Sequence, residues 1–149
     1  MLICIAIPLA VGGLSALLTS GNMDLYTKIN QPALAPPGWL FPIVWTILYL
    51  LMGIAFYLVV TTKTRESKKP AAISFGVQLF FNFFWSIIFF NLEAYLFAFI
   101  WLVLLLIAIV INTVSFYRIN KASGKLLLPY LVWVCFAGYL NLAIYILNG

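Results

Sequence analysis

The sequence contains no histidine and very few charged residues. Charged residues make up 7% of the 149 positions, and only three of them are acidic. Without histidine, imidazole zinc sites, proximal-histidine haem ligation and Ser-His triads are excluded. Asp24, Glu66 and Glu93 lie in or near predicted loops and offer no carboxylate pair for general acid–base catalysis. We therefore expect neither a conventional enzyme nor a metal site.

Charge is also missing from the apolar runs of the chain, and cysteine is scarce. Proton and ion pumps usually carry an ionisable group deep in a membrane segment, and a four-helix multidrug antiporter needs a carboxylate there. No run supplies one. Cys4 and Cys135 lie singly in two of the runs, and we interpret them as small buried hydrophobic residues, not as ligands or a disulfide.

Long apolar runs are what the sequence does contain. The chain is 66% hydrophobic with a mean hydropathy of +1.15, whereas a soluble domain has about a quarter of its residues charged. A membrane-spanning helix needs about 20 apolar residues. The pattern predicts an all-α membrane protein, a five-helix bundle that uses residues 1–149 as one domain. The predicted helices are 1–20, 42–62, 70–90, 94–117 and 126–147, with a loop at 21–41.

Two alternatives explain the runs less well. A cleaved signal peptide would carry Lys or Arg before its apolar stretch and a small-x-small cleavage site, and the first run has neither. Strands of a membrane β-barrel would alternate with period two and would be about half as long as these runs.

The basic residues predict an orientation. Seven of the eight lie in two connections: Lys63, Arg65, Lys68, Lys69, Arg118, Lys121 and Lys125. Only Lys28 lies at the other end, beside Asp24. Because basic loops stay in the cytoplasm, we expect the N-terminus inside, and the C-terminus and loop 21–41 outside. The net charge of +5 is then a topology signal and not a nucleic-acid patch.

Aromatic and amide side chains recur on helix faces. Aromatics form 17% of the chain. Gln78, Asn82 and Ser86 share one helix face, and Trp133 shares another with Asn141. One interpretation of these amides, and of Asn112, is that each only forms a hydrogen bond to a neighbouring helix, worth about 1 kcal/mol. Taken together, the tryptophan and amide faces favour a binding cavity, since sites for flat apolar ligands have aromatic walls and few polar groups.

Loop 21–41 is too long for a simple helix connection and is stiffened by Pro32, Pro36 and Pro37. Its apolar residues favour burial. We interpret the loop as a lid over one end of the bundle. The alternative is an ordered interfacial loop with no gating role.

Several uncommon residues occur in a fixed order along the chain. From Pro32 the sequence reads Pro-x3-Pro-Pro-x-Trp-x2-Pro-x-Val-Trp-x2-Leu-Tyr-x3-Gly, and from Gln78 it reads Gln-Leu-x2-Asn-x2-Trp. From Leu128 it reads Leu-Pro-Tyr-Leu-x-Trp-x2-Phe, and Leu140 and Asn141 follow. The chain resembles the tryptophan-rich sensory protein/translocator protein family, once called peripheral benzodiazepine receptors. The resemblance covers nearly the whole chain and is weakest in the first and fourth helices.

The resemblance implies a five-helix bundle with a pocket at its loop end. The pocket would bind porphyrins, either protoporphyrin or haem, and in many members isoquinoline carboxamide or benzodiazepine-type drugs. These molecules would be ligands, and no obligatory cofactor is expected. By motif position, its ligand-binding residues would be Tyr26, Pro36, Phe41, Pro42, Val44, Trp45, Asn82, Trp85, Trp133, Ala137, Leu140 and Asn141.

Some bacterial members of the family promote light- and oxygen-dependent breakdown of bound protoporphyrin. Trp45 and Trp133 would be the electron donors, so the sequence leaves open whether the protein is an enzyme. A transporter of porphyrin or other apolar molecules is the alternative, and a structural subunit is a third. The small size favours a bacterial plasma membrane.

The sequence departs from the family in two places. Tyr145 is followed by no basic residue, which weakens the case for cholesterol as a ligand. The third helix of the family often carries small residues four apart that pack a dimer, but here Gly76 is followed at that spacing by Phe80 and Phe84. Gly12 and Ala16 on the first helix therefore offer an alternative dimer contact. We expect a homodimer with an interface that the sequence leaves open.

Overall fold

A computed structural model describes residues 1–22 and 25–148 of the chain, and those residues contain helices but no strand. Five helical segments are long and apolar enough to cross a membrane, which confirms the predicted fold class. The α-helices are α1 (Leu2–Thr19), α2 (Leu25–Lys28), α3 (Leu40–Thr61), α4 (Lys69–Ser86), α5 (Tyr95–Ile119), α6 (Lys121–Leu126) and α7 (Leu128–Asn148). A 3-10 turn at Ser20–Asn22 extends α1, and a π-helical segment at Ile87–Asn91 extends α4.

The ends of the helices follow local chemistry. Pro42 lies in the first turn of α3, where its missing N–H costs no helix bond. Asn120 separates α5 from α6, and its side-chain oxygen accepts a hydrogen bond from the Ser123 N–H at 3.2 Å. The sequence pattern did not predict the short helices α2 and α6. Asp24, which the sequence places beside Lys28, lies outside the described residues.

The two ends of the bundle differ. We call the end that carries residues 20–39 the loop end, and the end that carries residues 62–68 and 120–127 the basic end. Near the basic end, the rings of Phe56, Phe75 and Phe116 stack with centroids 4.6 to 6.3 Å apart and fill the interior. The open space of the bundle therefore lies toward the loop end.

Glycine lets α1 and α3 approach each other closely. A Cβ atom on Gly53 would lie 2.5 Å from the Cα atom of Ile5, and one on Gly12 would overlap the ring of Tyr49. Gly12 therefore packs inside the protomer, and Ala16 lines the cavity described below. The dimer contact expected at Gly12 and Ala16 stays a prediction, although Gly12 already packs on Tyr49 within the bundle.

Replacing Gly53 with alanine tests this close approach. We expect Gly53→Ala to lower the free energy of unfolding by about 1–3 kcal/mol, because backbone would have to move. Gly76→Ala is the matched control, since nothing lies within 4 Å of its added Cβ and alanine favours helix. Thermal unfolding in detergent measures both, and equal stability of the two variants would contradict the packing.

Candidate functional site

The loop between α1 and α3 is ordered by hydrogen bonds to its own backbone and to α7. The Tyr26 hydroxyl donates to the Pro36 carbonyl at 2.6 Å. Asn30 and Asn148 exchange two bonds of 2.9 Å, and the Tyr139 hydroxyl donates to the Ala33 carbonyl at 2.6 Å. The loop is therefore fixed to α7 at two places, at its last residue, Asn148, and at Tyr139, about two and a half turns earlier.

Tyr26 is the buried anchor of this loop. Its ring contacts Phe41 edge-on, with centroids 5.0 Å apart. Burial raises the pKa of the Tyr26 phenol above its ordinary value. The phenol therefore stays protonated through neutral pH. Its stabilising contribution is present below the ordinary tyrosine pKa and is lost only as alkaline pH passes the raised value.

A cavity of about 730 Å³ lies beneath this loop, a size typical of ligand sites. Helices α1, α3, α4 and α7 and the loop surround it. Its walls are mostly aromatic and small residues: Gly12, Ser15, Ala16, Thr19, Tyr26, Thr27, Gly38, Trp39, Phe41, Pro42, Trp45, Tyr49, Trp85, Ser86, Phe89, Phe90, Trp133, Ala137, Leu140, Asn141 and Ile144.

Ring contacts hold the aromatic walls in place. Trp45 stacks on Tyr49 with centroids 5.7 Å apart, and Phe41 meets Trp133 at 5.8 Å. Trp85 stacks on Phe89 at 5.4 Å. These contacts leave flat faces on three helices, which suits a planar ligand.

The tryptophans differ in what their indole N–H groups bond. Trp85 donates to Asn141 at 3.0 Å, and Trp101, outside the cavity, donates to the Phe81 carbonyl at 2.7 Å. Within the described residues, the indole N–H of Trp133 is buried with no acceptor, and Trp45 donates to no acceptor either. Two cavity tryptophans thus keep an unused donor.

Most of the expected ligand-binding residues line the cavity. The structure brings together Tyr26, Phe41, Pro42, Trp45, Trp85, Trp133, Ala137, Leu140 and Asn141. Three expected residues do not line it: Pro36, Val44 and Asn82. The Pro36 carbonyl anchors Tyr26, and Val44 packs against the core of the bundle.

Asn82 belongs to a chain of hydrogen bonds next to the cavity. The Tyr49 hydroxyl donates to its side-chain oxygen at 2.7 Å, and its side-chain N–H donates to the Tyr130 hydroxyl at 2.7 Å. Tyr130 in turn donates to the Gln78 oxygen at 2.7 Å. All four side chains are buried. The side chains of Gln78 and Asn82 therefore form hydrogen bonds between helices, which is the simpler of the two interpretations of these amides.

Sequence reasoning missed the wall that α1 contributes. Ser15 and Thr19 line the cavity, and both hydroxyls donate to backbone carbonyls, of Phe83 and Ser15 respectively. Their spacing of four residues, together with Gly12 and Ala16, was the available signal of a small, polar inward face. Phe89 and Phe90 were missed as well, because they reach the cavity from the π-helical segment that extends α4.

Removing the Tyr130 hydroxyl tests the hydrogen-bond chain. Tyr130→Phe leaves the Asn82 side-chain N–H and the Gln78 side-chain oxygen without their tyrosine partner, so we expect about 1–2 kcal/mol less stability in detergent. Tyr57→Phe on α3 is the matched control, because the Tyr57 hydroxyl bonds no described residue. Thermal unfolding of the two variants gives the difference, and a Tyr130→Phe protein as stable as the control would refute the role of the chain.

The features above define a five-helix membrane protein with a ligand-sized cavity beneath an ordered loop. A family model described as the TspO/MBR family matches residues 4–147, and the chain belongs to this family.

Named relatives agree with this membership. The chain is 40% identical to the tryptophan-rich protein TspO of Chlorobaculum tepidum, over 98% of this chain and 94% of the relative. It is 39% identical to the protein of the same name in Archaeoglobus fulgidus, over 95% and 92%. It is 32% identical to the human translocator protein, over 80% and 72%. The resemblance seen in the sequence is confirmed.

Proposed function

We propose that the protein is a membrane receptor that binds tetrapyrroles such as protoporphyrin or haem, and related flat apolar ligands, in the cavity beneath the loop. The observation that carries the proposal is an aromatic cavity in which Trp45 and Trp133 keep unused indole N–H groups. Apolar walls supply most of the binding free energy, and a few polar groups fix the orientation of the ligand.

The unused donors select for a ligand with acceptor oxygens. The Trp133 N–H is buried without a partner, which costs about 1–3 kcal/mol, and a carbonyl or carboxylate of the ligand would remove that cost. The Trp133 ring lines the cavity, but its N–H is buried, so the indole has to turn to present that N–H to a ligand. Porphyrin carboxylates and the carbonyl groups of benzodiazepine-type drugs both meet this requirement.

The shape of the cavity favours a receptor over a carrier. A carrier needs a second opening toward the basic end, where Met52, Gln78 and Tyr130 are almost completely buried. The stacked rings of Phe56 and Phe75 lie beyond them. Porphyrin flux into sealed liposomes that contain the protein tests the carrier alternative, and flux above that of protein-free liposomes would support it.

Light-dependent breakdown of bound porphyrin is the further activity that we propose for this site. Tryptophan is an oxidisable side chain, and Trp45 and Trp133 face the same cavity from α3 and α7. Each would donate an electron to a photo-excited porphyrin in contact with its ring. The reduced porphyrin would pass that electron to oxygen, which then oxidises the macrocycle, and the oxidised tryptophan would take an electron back from the porphyrin product. No ground-state catalytic group is needed.

Trp133→Phe tests the donor while keeping an aromatic ring. We expect affinity for protoporphyrin to fall about three- to tenfold, the value of one hydrogen bond. Trp101→Phe is the matched control, since Trp101 lies outside the cavity. The Soret absorbance of protoporphyrin, titrated with protein in detergent, gives both affinities. Unchanged affinity in Trp133→Phe would show that the ligand does not use this N–H.

The double variant Trp45→Phe/Trp133→Phe tests the photochemistry. With the cavity saturated by protoporphyrin, we expect light-dependent loss of the Soret band to stop, because phenylalanine is not oxidised by the excited ligand. Trp101→Phe should keep the wild-type rate. Loss at the wild-type rate in the double variant would refute the photochemical role and leave the binding proposal standing.

A further inference from the structure

A second depression lies at the basic end of the protein, far along the bundle from the cavity. It has a volume of about 380 Å³ and lies between the last turns of α5, the end of α6 and the start of α7. We call it the basic-end groove and define it by Val114, Tyr117, Arg118, Gly124, Lys125 and Leu128.

The walls of the groove are apolar side chains that face outward. Val114, Tyr117 and Leu128 are each exposed by 45–48% although they belong to membrane-spanning segments. Their exposed surface therefore meets lipid. An acyl chain lying against these residues fills the groove with methylene groups and needs no polar partner.

Two cations lie at the mouth of the same groove. Arg118 is in the last turn of α5 and Lys125 is in the last turn of α6. Both are exposed, and neither side chain forms a hydrogen bond or an ion pair with any of residues 1–22 and 25–148. An arginine next to apolar membrane surface presents donors that suit a phosphate group.

The backbone around the groove is held rigidly. Gly124 lies against Tyr117 so closely that an added Cβ would be 2.5 Å from the Tyr117 Cβ. The Ser123 hydroxyl donates to the Ala55 carbonyl at 2.7 Å, and Asn120 donates to the Thr62 hydroxyl at 3.0 Å. These bonds tie α6 to α3. The groove is therefore a fixed feature of the fold, with its shape set before a ligand arrives.

We propose that the basic-end groove binds an anionic glycerophospholipid. One acyl chain lies along Val114, Tyr117 and Leu128, and the headgroup phosphate lies between Arg118 and Lys125. Apolar walls and unpaired cations at a membrane edge match the two parts of this lipid. The binding is independent of the cavity at the loop end, and it holds whether or not the cavity binds porphyrin.

Native mass spectrometry of the full chain in detergent tests the proposal. The probes are dioleoyl phosphatidylglycerol, dioleoyl phosphatidylcholine with the same chains, and inorganic phosphate. We expect the anionic lipid to be retained in preference to the zwitterionic one. A basic residue near anionic lipid is worth about fivefold in affinity, so Arg118→Gln/Lys125→Gln should weaken phosphatidylglycerol binding about 25-fold.

Two further variants separate the groove from general surface charge. Lys63→Gln/Arg65→Gln removes the same charge from the other loop of the basic end and should retain the lipid. Val114→Phe fills the groove, leaves both cations in place, and should also lose the lipid.

Three results would overturn the proposal. They are equal loss of lipid in both charge variants, full retention in Val114→Phe, and displacement of the lipid by millimolar inorganic phosphate. The last result would make the groove a free-anion site.

Discussion

Polar side chains inside a membrane bundle have no water to bond, so each needs a partner on a neighbouring helix. In this protein the chain from Tyr49 through Asn82 and Tyr130 to Gln78 meets that need with three hydrogen bonds of 2.7 Å. It joins α3, α4 and α7 at the level where the cavity ends. The position of these three helices, and hence of the cavity walls, depends on this chain.

The same constraint explains why the cavity is aromatic. The amides of Gln78 and Asn82 are used between helices, and the Asn141 amide accepts from Trp85 and donates to the Tyr95 carbonyl. What remains for the cavity is ring faces, small residues and two indole donors. The loop covers this space and is held to α7 through Asn30, Ala33 and their partners. A stiff cover and a mostly apolar interior together favour a ligand that arrives from the membrane or through the loop end.

Much of the architecture can be predicted from the sequence, because membrane spans are set by length and hydropathy. The inward faces of α4 and α7 can be predicted too, since an amide in lipid must point inward. The role of Asn82 cannot be predicted in this way, because an amide that hydrogen-bonds a tyrosine and one that hydrogen-bonds a ligand have the same helical spacing. The α1 wall was missed for a similar reason. Small residues such as Gly12 and Ala16 fit a contact between two protomers as well as an inward face, and the packing of Gly12 on Tyr49 is visible only in the structure.

The central claim is that a planar ligand occupies the cavity, and a fluorescence titration of the protein in lipid nanodiscs tests it most directly. Protoporphyrin should quench tryptophan emission and saturate at one ligand per chain. Ala137→Phe, which places a ring in the cavity, should abolish the quenching, whereas Ala72→Phe on the exposed surface of α4 should not. Saturable quenching that persists in Ala137→Phe, or its absence in the wild-type protein, would contradict this account.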